Sequence, residues 1–195
     1  GKDIQADNLK ENYDLSFKLI PLTEPNEIQK AAVGIGTSFV LTFTGDCTLG
    51  SLPSLFTVDQ CFVPTVGEDY GYCFRNFAEV FAADDLTMIN LESVFANQGV
   101  PSEKLFAFRG PTEYINILTS SSVEAVTLAN NHTMDFGAEG YESTKQTLES
   151  GNVTYVEQDG SAIYTTEGGL VVGLYAAAFV RDNADMRQEI DSLKQ

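Results

Sequence analysis

"VEAVTLANNHTMDFG", Val123 to Gly137, decides how the chain is read. Its opening residues Val123, Ala125, Val126 and Leu128 make an apolar run with the look of a buried strand. The run then breaks into Asn130, Asn131 and His132, with Asp135 three residues further on. A strand that stops in amides, an imidazole and a carboxylate points to an α/β domain, where ligands gather at the carboxyl ends of the strands. His132 is also the single histidine of 195 residues.

Two upstream segments end in the same manner. "SFVLTFTGD" (38–46) is apolar, β-branched and aromatic, and it stops at Gly45-Asp46, as a buried strand running into a turn does. "LTMINLE" (86–92) gives a second short buried strand, with Asn90 and Glu92 at its carboxyl end. "VTYVEQ" (153–158) and "GLVVGLYAAAF" (169–179) supply a fourth and a fifth strand.

Helical segments lie between them. "YCFRNFAEVFAADD" (72–85) places Phe74, Phe77, Val80 and Phe81 at helical spacing, which predicts a helix with that face inward. "TEYINILTSSS" (112–122) carries Tyr114, Ile117 and Leu118 on one face, and "AEGYESTKQTLESGN" (138–152) is a helix stopped by Gly151. "NADMRQEIDSLKQ" (183–195) reads as one more. Residues 51–72, with Pro53, Pro64, Gly67 and Gly71, form a loop. Strands alternating with helices predict an α/β fold around a largely parallel sheet. Residues 1–36 are polar, with Pro21 and Pro25 and no sustained periodicity. They are expected to be a partly disordered lead-in to a domain over 37–195.

Composition narrows the function. A hydrophobic fraction of 43% is enough for a real core. The 28 acidic against 11 basic side chains give a formal charge of −17, which repels a phosphate backbone and argues against nucleic-acid binding. Such a surface suits divalent cations, and equally well a plain solvated exterior. Cys47, Cys61 and Cys73 are too few for a disulfide framework, and their spacing matches no zinc ribbon. Cys61 and Cys73 either bridge in an oxidising compartment or serve as small buried apolar residues. No segment is apolar for long enough to span a bilayer. The chain opens on Gly1 and not on methionine, so a signal peptide or anchor upstream is expected, and with it a secreted or surface-attached protein.

If the sheet brings its strand ends together, Asp46, Glu92, Asn131 and His132 meet. Two carboxylates in close approach repel unless one protonates or a cation sits between them. Hard divalent ions favour oxygen donors, and an asparagine amide adds a neutral one. The imidazole would either ligate the ion or give a proton to a leaving oxygen. Blander alternatives stay open. Asp46 is also what a turn cap looks like, "NNH" is an asparagine-rich turn, and Asp135 suits a helix N-cap.

"FTGDCTLG", "DDLTMINLES" and "LANNHTMDFGAEGYESTKQTLESGNV", in that order, resemble bacterial capsule-synthesis proteins of the CapA/PgsA type, associated with poly-γ-glutamate production. The resemblance runs over about 39–179, with "KLFAFRGP" and "YCFRNFAEVFAADDLT" also alike. It implies a calcineurin-like metallophosphoesterase sandwich binding divalent ions (Mn, Zn or Mg). By the same resemblance, Asp46, Glu92 and Asn131 are metal ligands and His132 is the proton donor. Asn90, Asn130 and Asp135 stand behind them, orienting the imidazole. Arg109 is a cation suited to clamp phosphate or carboxylate, or else a surface ion-pair partner.

The sequence departs from that pattern at two places. Thr48 stands where such enzymes carry a histidine two residues after the first aspartate. The later histidine-containing motifs are also missing, so the chain is expected to be a fragment ending after roughly the first half of the sandwich. Its own metal binding is then expected to be weak or nil. An open sheet edge would favour dimerisation or domain swapping. Three functions follow as expectations. One is a surface phosphoesterase of capsule synthesis acting on an anionic polymer or phosphoester beside other membrane components. A second is a non-catalytic scaffold for polymer assembly or export, and a third is a metal-dependent hydrolase of polymer amide bonds. A serine nucleophile is not supported, because no "GxSxG" elbow surrounds Ser93 or any other serine.

Overall fold

The computed structural model describes residues 38–178 and 192–193. Four strands run parallel in the order β1 (Leu41–Cys47), β2 (Leu86–Leu91), β5 (Ala125–Thr127) and β6 (Thr154–Val156). Two smaller pairs accompany them: β3 (Val94–Phe95) parallel to β4 (Arg109–Gly110), and β7 (Gly160–Thr165) antiparallel to β8 (Val171–Ala176). The helices are α1 (Phe62–Val66), α2 (Ala78–Phe81), α3 (Ile115–Thr119) and α4 (Gly137–Ser150).

β2 shows how the sequence builds the layers. Successive side chains of a strand point to opposite faces, and this strand is apolar on both. Ile89 and Leu91 enter one core with Val126, Leu128, Ile117, Leu118 and Leu148. Leu86 and Met88 enter another with Ala125, Val156 and, from β8, Leu174 and Ala176. Helices therefore cover one face of the parallel sheet and the β7–β8 hairpin the other. Each fully buried Leu or Ile contributes about 1.5–3 kcal/mol. Two glycines let α4 dock closely. A Cβ at Gly140 would stand 3.1 Å from Val94 Cγ1 of β3, and one at Gly151, just past the helix, 2.5 Å from Ile115 Cγ1 of α3.

The four-stranded parallel sheet and the mixed α/β class agree with the sequence, as do the buried trio Tyr114, Ile117, Leu118 and the stop of α4 before Gly151. Several expectations need correction. The first strand is not buried: β1 flanks the described sheet on one side, and Phe43 is 59% exposed. Residues 72–85 are turns with a single helical turn at α2. Phe74 and Phe81 go inward, ring centroids 5.6 Å apart, while Phe77 and Val80 stay exposed. Tyr72, Phe74, Phe77 and Phe81 are poor helix formers, and packing of Phe74 on Phe81 takes precedence over the helical spacing. The stretch 51–72 is not all loop, since it contains a 3-10 turn at Pro53–Leu55 and then α1.

The fifth strand does not extend the parallel sheet. It is β8, and it pairs antiparallel with β7, which the sequence reading passed over because "GSAIYT" carries no alternation of apolar and polar residues, although its exposure alternates along the strand. All three cysteines are free, so Cys61 and Cys73 do not bridge. The polar lead-in lies outside the described residues, and so does most of the last helix. Among the described residues, no helix is long and apolar enough to cross a membrane.

Candidate functional site

The carboxyl ends of β1, β2 and β5 converge on one polar cavity of about 360 Å³, lined by Asp46, Asn90, Glu92, Asn130 and Asn131. A local irregularity sets the first of these. Phe43 pairs with Met88, yet Asp46 pairs with Asn90, so β1 holds one extra residue over this interval. Such a bulge re-aims the side chain that follows it. It brings Asp46 opposite Asn90, whose amide Nδ2 donates to Asp46 Oδ1 at 2.6 Å.

A relay of amides ties that pair to the β5 end. Asn130 Nδ2 donates to Asn90 Oδ1 and to the Leu91 carbonyl, both at 2.9 Å. Asn130 Oδ1 in turn accepts the His132 backbone N–H at 2.9 Å and the Thr133 hydroxyl at 3.1 Å. The Thr133 hydroxyl also donates to the Leu128 carbonyl. Asn130 is therefore a turn-former of the Asx kind, with its remaining donors spent on β2. Asn131 is exposed at the rim.

His132 is held from several sides. Its Nδ1 lies 2.7 Å from Asp135 Oδ2, and its ring packs 4.7 Å from that of Phe108. Asp135 is fully buried and is not a helix cap; Phe136 takes the N-cap position of α4. The same carboxylate accepts the Phe108 N–H at 2.8 Å and Lys104 Nζ at 2.8 Å. With Asp135 an acceptor throughout, the imidazole carries a proton on Nδ1. Nε2 then faces Glu92, 3.9 Å from Oε1. Thr48, at the place of the expected histidine, donates to Glu92 Oε2 at 3.2 Å.

Arg109 lies apart from this cavity. Its guanidinium sits 5.3 Å from the Phe56 ring and 5.2 Å from the Phe136 ring, and it makes no ion pair among the described residues. Burial pushes its pKa below the usual arginine value. Next to Asp46, burial pushes the Cys47 thiol up, opposed by a hydrogen bond with Thr44 and reinforced by the Asp46 charge. Ser93 is 1% exposed and does not line the cavity.

Oxygen donors with no Lys or Arg partner among the described residues, as at Asp46 and Glu92, fit one wall of a hard-cation site. They do not make a whole one: among the described residues, no group of three His, Cys, Asp or Glu side chains could hold an ion. Lys104 is the residue the sequence reading missed. Its signal was a lone cation five positions before Arg109 in an acid-rich chain.

Comparison with known proteins fits this arrangement. The profile of bacterial capsule synthesis protein PGA_cap matches residues 40–194. The chain belongs to that family. A search of curated proteins gave no match. Within this PGA_cap domain, the matched span takes in every candidate site residue from Asp46 to Asp135 and supports a capsule-related role.

Proposed function

We propose that the chain acts at the bacterial cell surface in the synthesis or export of a poly-γ-glutamate capsule, and that its polar cavity handles a phosphoester or anionic polymer with a divalent ion. The observation that carries this is the convergence of Asp46, Glu92 and Asn131 on one cavity at the ends of three neighbouring parallel strands, with His132 Nε2 3.9 Å from Glu92. Asp46, Glu92 and Asn131 would contact the ion, with further ligands needed beyond those described. Such an ion supplies Lewis acidity at an anionic oxygen.

The chain's own residues do the rest. Asp135 keeps the proton on Nδ1 of His132, so Nε2 is the nitrogen that faces Glu92. In the doubly protonated ring, Nε2–H is the donor that a leaving oxygen would use. The Phe108 ring packs against the imidazole, tilted by 43° at 4.7 Å between centroids, and limits its rotation. The test is Mn²⁺, Zn²⁺ and Mg²⁺ binding by the intact protein, with and without Glu92→Gln. Loss of binding in the variant supports the site. An intact protein that binds none of the three and is indifferent to Glu92→Gln sinks it.

A scaffold role in polymer assembly is favoured by one observation: Thr48, not a histidine, meets Glu92. Capsule polymer measured in cells carrying His132→Ala separates the two. Undiminished polymer with a folded variant selects the scaffold.

A further inference from the structure

We propose that Lys104 is a positioning residue, a clamp that fixes the loop carrying Asn131 and His132. The proposal rests on reading the cavity above as the site, although its geometry stands whether or not the cavity turns anything over. Lys104 Nζ donates to the Asn131 carbonyl at 2.5 Å and to Asp135 Oδ1 at 2.8 Å. One ammonium thus spans the two ends of the loop that contains His132. An ammonium has three donors and no fixed plane, which suits two acceptors that are not coplanar.

The buried Asp135 explains why a cation is needed there. A carboxylate at 0% exposure is costly unless its charge is offset and its lone pairs are used. Lys104 is its Lys or Arg partner among the described residues, and its side chain is 41% exposed. Holding Oδ1 fixes the carboxylate plane and leaves Oδ2 to His132 Nδ1 and Phe108 N–H. Ser102 N–H, donating to the Asp135 carbonyl at 2.7 Å, fastens the same segment a second time. Lys104 therefore acts through Asp135 and Asn131, not on a substrate.

A single histidine makes the test clean, because its ring nitrogens give one set of NMR signals. The full chain, ¹⁵N-labelled, is compared at one fixed pH as wild type, Lys104→Met, Lys104→Gln and Lys104→Arg. The wild type is expected to show a protected Nδ1–H proton. Lys104→Met should lose it while the backbone amide spectrum stays folded, and Lys104→Arg should restore it. Mn²⁺ broadening of the Asn131 side-chain amide should need about tenfold more metal in Lys104→Met. A role in stability alone would lower the melting temperature without moving the ring nitrogens, and that result overturns the proposal. So does a wild type without the Nδ1–H tautomer. If Lys104→Met fails to fold, Lys104→Gln, which keeps a donor, carries the test; failure of both overturns a local role. Should Mn²⁺ bind none of the proteins while the Nδ1–H signal behaves as expected, the clamp stands and the metal reading of the cavity falls.

Discussion

The two walls of the cavity are built differently. On the β5 side the turn behind the cavity is pinned: Asp135 accepts three donors, Asn130 bridges to β2, and His132 is fixed at Nδ1 and across its ring. On the β1 side, Asp46 is exposed and its carboxylate accepts one hydrogen bond among the described residues, from Asn90, on a strand whose Phe43 faces solvent. One wall is set by folding, and the other keeps its acceptor oxygens free. Pre-organised groups orient a reacting atom at no further cost, whereas a ligand for a mobile ion needs lone pairs that nothing else has claimed.

The contrast breaks first at Asp135. Asp135→Ala leaves the Phe108 N–H and His132 Nδ1 without their acceptor and takes one of two acceptors from Lys104; each buried donor left unpaired costs about 1–3 kcal/mol, so the two together make this the largest loss. Urea unfolding should show a much lower midpoint at unchanged slope. A loss under about 1 kcal/mol would mean the β5 wall is not held by this carboxylate.

Gly140→Ala probes the same wall from behind. The new methyl would meet Phe136 Cβ at 2.6 Å and Val94 Cγ1 at 3.1 Å, pushing on the segment that carries Asp135. Overpacking of this kind costs about 1–3 kcal/mol. Thermal unfolding checks it, and an unchanged midpoint would show that α4 shifts freely. Asn130→Ala should cost less, about 1–2 kcal/mol, because water reaches part of that half-buried turn. Its sharper signature is local: faster hydrogen exchange at the His132 amide, whose acceptor is removed.

How much of this the sequence disclosed also divides by wall. "VEAVTLANNHTMDFG" announced its strand, its polar end and its candidate residues, because an apolar run broken by amides is a local pattern. What it did not disclose was long-range. Lys104 reaches Asp135 over 31 positions and Thr144 caps the Phe95 N–H over 49, and no periodicity encodes either contact. "SFVLTFTGD" misled for a related reason. Apolar composition shows that a strand exists, but burial depends on what packs against it, and β1 sits at the edge of the described sheet. The aromatic spacing in 72–85 matched a helix, yet tertiary packing of Phe74 on Phe81 took precedence over it.

The smallest effect on stability is expected at Asp46, where the consequence for function should be large. Asp46→Asn keeps the size of the side chain and still offers Asn90 an oxygen acceptor. At an exposed strand end the change should stay within about 0.5 kcal/mol. If the free carboxylate serves an ion, the same substitution should abolish divalent binding in a protein that unfolds like the wild type. Calorimetric titration beside urea unfolding would show the two quantities separating. Were Asp46→Asn to cost stability as Asp135→Ala does, the β1 wall would be structural too, and the division of labour between the walls would be lost.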